Sequence, residues 1–540
     1  MDLNLLNTIE NTIYNNQITV LKQDQEKKEI INMNNYLNSL KKADNYILTE
    51  NGAIAHKTSG EKLYDMFSLG GAYRNRNAQD CILLFKNAFE ADETYALKCL
   101  FYLRDILQGQ GERRFFRVCA KWLANKYPEA MKRNLQYVPE YGRWDDLYEF
   151  CKTPIEHDMW ELMRKQIALD MQSKTPSLLA KWLKSENTSS AESCRLGNAT
   201  RQAFGMSHKQ YRKTLSILRK RINVLERLMS ERRWDEIEFD KIPSKAGMVY
   251  RNAFARHDVE RMKAKVEAQS YADFVKDDTK KVNTKALAPY EIVAKAFNLT
   301  YNGGWGYSNK NVALDDTERF AINKYWENYG QTLANLDLNL LCVVDTSGSM
   351  WGREASAPIN MAIALGMMAA EKAKGPFHGT YVSFSSRPQV INIEGVDFVD
   401  KVRRIYSTNL CENTNLEATF EMLLRVAVKN KVAQSDLPGS IVVISDMQID
   451  SSYYYHRDSK GQIRTMMETM RDKWAANGYK MPKLVYWNVN ASRDTFLDDG
   501  PDVSYVSGSS AVLFEQIARG VTAQDLMYDK LNSKRYEPIK

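Results

Sequence analysis

The stretch "LNLLCVVDTSGSMWGREAS", Leu338–Ser356, decides how the C-terminal part of this chain reads. An apolar, β-branched run ends in Asp345, and three small residues, Ser347, Gly348 and Ser349, follow before a helix-like pattern resumes. A short apolar run bounded by turn residues is the signal of a strand buried on both faces. Four more runs of this kind follow: "GTYVSFS" (Gly379–Ser385), "PQVINI" (Pro388–Ile393), "GSIVVISD" (Gly439–Asp446) and "PKLVYWNV" (Pro482–Val489). They alternate with helical stretches such as Glu354–Lys374 and Leu416–Asn430. Strands and helices in this order predict βα units on a largely parallel, doubly wound sheet with both faces covered. Ligands of such sheets sit beyond the carboxyl ends of the strands. Asp345 and Asp446 both stand at that edge.

Upstream, the period changes. From Ser59 to Phe297 the apolar residues recur at three and four, as in "AQDCILLFKNAFEADETYALKCLFYLRDIL" (Ala78–Leu107), the stripe of helices packed on neighbours. Breaks at Gly109–Arg113, Val138–Asp146, Ser173–Ser177 and Lys241–Gly247 divide these helices. Helices joined by short turns predict an all-helical, repeat-like array. The glycine- and asparagine-rich "NLTYNGGWGYSNKN" (Asn298–Asn311) reads as a connection. The expected organisation is therefore a partly helical extension over 1–58, a helical domain over 59–297, a connection over 298–336 and an α/β domain over 337–540.

The totals narrow the function classes. With 540 residues, 44% hydrophobic and 26% charged, the chain has the composition of a multidomain globular protein. The net charge of +8 is mildly basic, so the placement of charge matters more than its sum. The 7 cysteines form no C-x-x-C pair, which argues against a zinc knuckle or disulfide framework and fits a reducing compartment. The sequence carries neither a secretion signal nor an apolar stretch of membrane-spanning length, and a cytoplasmic location is expected.

Asp345, Ser347 and Ser349 in one strand-to-helix turn offer a carboxylate and two hydroxyls. Hard oxygen donors of this kind suit Mg²⁺ or Mn²⁺ rather than zinc. Thr414, just before a helix, and Asp446, at the end of "VVISD", add two more oxygens. The alternative is a metal-free turn whose serines cap a helix. A serine nucleophile is disfavoured, because no histidine lies near the motif and G-x-S-x-G is absent. Metal-assisted hydrolysis would need a further base, for which only Glu412 and Asp450 are at hand. A binding protein, not an enzyme, is expected.

The ordered set Asp345-x-Ser347-x-Ser349, Thr414 and Asp446 resembles the von Willebrand factor A domain with its metal-ion-dependent adhesion site (MIDAS). The resemblance implies a Mg²⁺ held by these residues, with one coordination position open to a carboxylate or other oxygen from a partner. The helical half carries further fixed phrases: "FYLRDILQGQGERRFFR" (Phe101–Arg117), "YGRWDDLY" (Tyr141–Tyr148), "SLLAKWLKSEN" (Ser177–Asn187), "YRKTLSILRKRINVLERLM" (Tyr211–Met229), "FDKIPSKA" (Phe239–Ala246) and "LAPYEIV" (Leu287–Val293). Together they resemble a TROVE/Ro-like family of phage and plant proteins of unknown function. That family joins a helical region similar to the TROVE module of the Ro autoantigen to a C-terminal von Willebrand A domain. The implied fold is an all-α HEAT-like array or ring followed by an α/β doubly wound, Rossmann-like domain. Two positions depart from the family's pattern: Gln110 stands where a lysine is usual, and Tyr290 where a histidine is usual.

By the same resemblance the ring would bind structured or misfolded noncoding RNA; the chain is expected to act as a monomer. The basic residues available are Arg104, Arg113 and Arg114, then Lys181, and then Lys209, Arg212, Lys213, Arg219 and Lys220 near Trp182 and Tyr211. A basic helix face with aromatics can hold phosphates and stack exposed bases. A solvated helix reads much the same, since Glu226 and Glu231 interleave nearby. Trp144 with Asp145 and Asp146 reads as a packing and capping signature. The alternative function is a metal-dependent protein-interaction scaffold, such as a phage structural or assembly factor, without RNA binding.

Overall fold

Among the described residues, eight strands form where short β-branched runs meet turn residues: β1 (Tyr46–Leu48), β2 (Ile54–His56), β3 (Leu340–Asp345), β4 (Thr380–Phe384), β5 (Gln389–Asn392), β6 (Ser440–Ser445), β7 (Lys483–Asn488) and β8 (Val503–Ser507). The computed structural model describes residues 45–540 except 266–267, 298–313, 332, 334–335, 337, 353, 385–386, 408–413, 451–464, 499, 501, 515–516 and 518–522. The connection expected at Asn298–Asn311 lies outside the described residues, as does Glu412.

The last six strands make one sheet in the order β5-β4-β3-β6-β7-β8. β3 pairs in parallel with β4 and β6, and β6, β7 and β8 continue in parallel. Every residue of β3 is buried, as a central strand covered on both faces requires. The run "PQVINI" departs from the expected βα unit. It returns as β5, antiparallel to β4, and its exposed residues mark it as a sheet edge. β8 and the β1–β2 hairpin are additions to the predicted strands. The hairpin had a readable signal: its turn ends in Asn51-Gly52, and Gly52 takes φ +89°, where glycine is least strained.

The helical residues form successive helices from Lys62–Leu69 to Asp316–Gln331. Caps set several starts: Asn77, Asp92 and Ser207 each accept a first-turn backbone N–H, and Gln210 completes a capping box with Ser207. Both ends of the array dock on the α/β domain. Helix Lys62–Leu69 packs on β8, where Tyr64 bonds the backbone of Tyr505, and helix Pro289–Phe297 packs on Pro358–Lys372 and Phe398–Ser407. A third seam comes from the tail. Arg535 and Tyr536 both reach the buried Asp105, and Tyr536 stacks on Tyr141. The array thus curls into a ring that the α/β domain closes.

Candidate functional site

The ring surrounds a cavity of about 2020 Å³ that is open to solvent. Its wall runs from Arg74 through the turn Ile106–Arg114, the segment Leu178–Asn187, helix His208–Arg221 and on to Glu291, and Ser356, Ser509, Ser510 and Val512 of the α/β domain complete it. Twelve lysines and arginines line it against five glutamates, so its wall is net positive. Several of these cations are already matched: Arg74 with Glu112, Arg143 with Asp145, Arg227 with Glu231, and Lys245 with Glu291. Arg113, Arg114, Lys181, Arg212 and Lys285 have no carboxylate partner among the described residues, and their charge faces the cavity uncompensated. Trp144, Trp182 and Tyr250 stand between them, and the Arg143 guanidinium sits 4.2 Å from the Trp182 ring centre.

The nine basic residues singled out in the sequence divide into three groups. Arg113, Arg114, Lys181 and Arg212 line the cavity without a carboxylate partner among the described residues, Arg212 donating to the His208 carbonyl in its own helix. Arg104 and Arg219 line it but are engaged by the protein, which corrects their reading as RNA contacts. Arg104 is buried and its guanidinium bonds Asp146 at 2.7 and 2.8 Å. Arg219 donates to the carbonyls of Ala180 and Leu183 and to the Ser185 hydroxyl. Lys209, Lys213 and Lys220 are exposed and lie outside the cavity wall. Three-and-four spacing identifies a helix face but not what that face looks into. Lys285 was missed although Lys280 and Lys281 stand just upstream, because it sits in a turn outside the helix whose three-and-four spacing drew the reading. The two departures both meet the cavity. Gln110 donates to Tyr102 Oη at 2.7 Å, and Tyr290 lies under the Arg74 guanidinium. Asp145 and Asp146 do act as a packing and capping pair: Asp146 accepts the Arg143 backbone N–H and the side chains of Arg104 and Arg117.

The second candidate site lies at the carboxyl edge of β3 and β6. Asp345, wholly buried, accepts the Ser347 N–H at 2.9 Å and the Ser445 hydroxyl at 2.6 Å. The Ser347 and Ser349 hydroxyls are 3.2 Å apart. Asp446 accepts the Gln448 N–H at 3.1 Å, and Thr414 donates to Asp450 at 3.0 Å. Burial raises the Asp345 carboxyl above the usual carboxylate range, against the pull of its serine bonds. Burial first, and the charge of Asp345 second, push Asp446 up to about 7. Neither aspartate has a basic partner among the described residues, so two buried carboxylates face each other's field without a counter-charge. A divalent cation among these oxygens would supply that charge, and the donor set fits a hard ion. Among the described residues no group of three or more His, Cys, Asp and Glu side chains could hold a metal, so two carboxylates and hydroxyls are the donors to consider.

Residues 49–193 and 153–336 match the model of a domain of unknown function, DUF2828, and the chain belongs to this family. Residues 339–533 match a second, DUF7788. The uncharacterized protein L728 of Acanthamoeba polyphaga mimivirus is 30% identical over 513 residues, covering 88% of this chain and 84% of that protein. Among solved structures, the Ro (RSR) protein of Deinococcus radiodurans aligns with TM-score 0.37 and 14% identity, over 86% of this chain and 100% of that one. Among the described residues no helix is long and apolar enough to cross a membrane.

Proposed function

We propose that this DUF2828 protein is a Ro-like RNA-binding protein, whose ring cavity takes an unpaired segment of a structured or misfolded noncoding RNA. The observation that carries this is the open cavity inside the ring, lined by cations without a carboxylate partner among the described residues, Arg113, Arg114, Lys181, Arg212 and Lys285. Phosphates need such charges, and single strands expose bases that stack on side chains such as Trp144 and Trp182. The role is binding rather than catalysis.

In the same reading the α/β domain is a von Willebrand A-like module. Asp345, Ser347, Ser349, Thr414 and Asp446 would hold Mg²⁺ or Mn²⁺, which supplies positive charge to bind an incoming oxygen ligand. The support is the all-oxygen donor set and the two buried aspartates, which have no basic partner among the described residues.

The test is binding of a structured RNA with a free 3′ tail, titrated with salt. Five free cations, at about 0.7 per phosphate for single strands, give a slope of log affinity against log salt near −3.5. Reversing Arg113, Lys181 and Arg212 together should flatten that slope by about 2 or more. Salt-independent binding, or none at micromolar protein, overturns the RNA reading and leaves the ring as a protein scaffold.

A further inference from the structure

The β1–β2 hairpin reaches the candidate metal edge from far away in sequence. Thr49 Oγ1 donates to the Ile449 carbonyl at 2.5 Å, and the Glu50 N–H donates to Gln448 Oε1 at 2.8 Å. Asn51 Nδ2 donates to the Gln448 carbonyl at 2.7 Å and to Thr414 Oγ1 at 2.9 Å, across 363 residues. Gly52 makes an antiparallel bridge to Asp450, the residue that accepts the Thr414 proton.

The chemistry at Thr414 fixes the roles. A hydroxyl has one proton and two lone pairs. The proton goes to Asp450, so Thr414 Oγ1 is an acceptor toward Asn51, as is the Gln448 carbonyl. Two acceptors settle which end of the Asn51 amide faces them: the nitrogen. One lone pair of Thr414 takes the Asn51 bond, and the other is left for a cation. An ion and a docked hairpin can therefore share Thr414 without competing. Glu50 also brings a carboxylate close enough for its charge to reach Asp446.

We propose that Asn51 is a positioning residue for the metal site, and that ion binding and docking of the N-terminal hairpin are coupled through Thr414. This rests on the reading of Thr414 as a metal-site residue. Groups that orient metal ligands typically contribute 10–100-fold in affinity. Coupling of this kind is reciprocal, so the ion must tighten the hairpin by the factor with which the docked hairpin tightens the ion.

The experiment uses the full chain and Mn²⁺ as probe. Mn²⁺ affinity is read by paramagnetic resonance, and hydrogen exchange is read at the Glu50 amide, whose partner is the Gln448 side chain. Wild type should bind Mn²⁺, and the ion should slow Glu50 exchange about tenfold or more. Asn51→Ala, at an exposed turn position that keeps Gly52, should weaken Mn²⁺ binding about 10–100-fold and abolish that slowing. Wild-type Mn²⁺ binding with Glu50 exchange indifferent to the ion overturns the coupling while the metal reading stands. This result needs no variant, so misfolding of a mutant cannot obscure it. A wild-type chain that binds no Mn²⁺ at millimolar concentration overturns both.

Discussion

Asp146→Asn should be among the most damaging single substitutions in the ring. Asp146 is wholly buried and holds Arg104, which is only 2% exposed, through contacts at 2.7 and 2.8 Å. Arg117 reaches the same carboxylate at 2.7 Å but also has Asp145 and Glu149. Among the described residues Arg104 has no other carboxylate, so the substitution leaves it buried and uncompensated. Breaking a buried pair from one side costs about 3–5 kcal/mol. At about 2–4 °C per kcal/mol for a domain of a few hundred residues, the helical transition should fall by roughly 6–20 °C. Arg104→Met should cost less, about 1–3 kcal/mol, because Asp146 keeps Arg117. The double variant should be more stable than Asp146→Asn alone, since neither charge is then stranded. Calorimetry together with hydrogen exchange of helix Glu93–Arg104 measures all three. A loss below about 1 kcal/mol for Asp146→Asn, or a larger loss for Arg104→Met, refutes the reasoning.

Three other outcomes are expected. Reversing Lys209, Lys213 and Lys220 should leave the salt slope of RNA binding within about 1 of wild type, because these cations lie outside the cavity; filter binding across salt checks it. The metal-free Asp446 carboxyl, raised to about 7, binds a proton that the unfolded chain has already released at lower pH. The native state therefore holds more protons between about pH 4 and 7, and metal-free stability falls as pH rises through that window. Asp446→Asn should flatten that decline, which denaturation of chelator-treated protein over pH would show. Gly366→Ala would place a Cβ 2.6 Å from Val344 Cγ2, where helix Pro358–Lys372 lies against β3. It should destabilise the α/β domain by about 1–3 kcal/mol, read as a lower unfolding midpoint.

Much of the architecture is local, and the sequence by itself determined it. β3, β4, β6 and β7 follow from apolar runs with turn residues at their ends, because a strand buried on both faces can hold little else. The helices follow from three-and-four spacing and from caps such as Asn77, Asp92 and Ser207, each acting within its own first turn. The oxygen edge was equally legible, since Asp345, Ser347 and Ser349 share one loop and Asp446 ends the neighbouring strand. What the tertiary structure decided are pairings between distant residues, which no period records. Composition marks Arg104 and Lys181 as equally basic, but only the fold buries one against Asp146 and points the other into the cavity. "PQVINI" reads as a strand, yet its antiparallel return is set by pairing with β4. The same holds for Asn51 and Thr414: each is an ordinary turn residue in sequence, and only ring closure brings them within 2.9 Å.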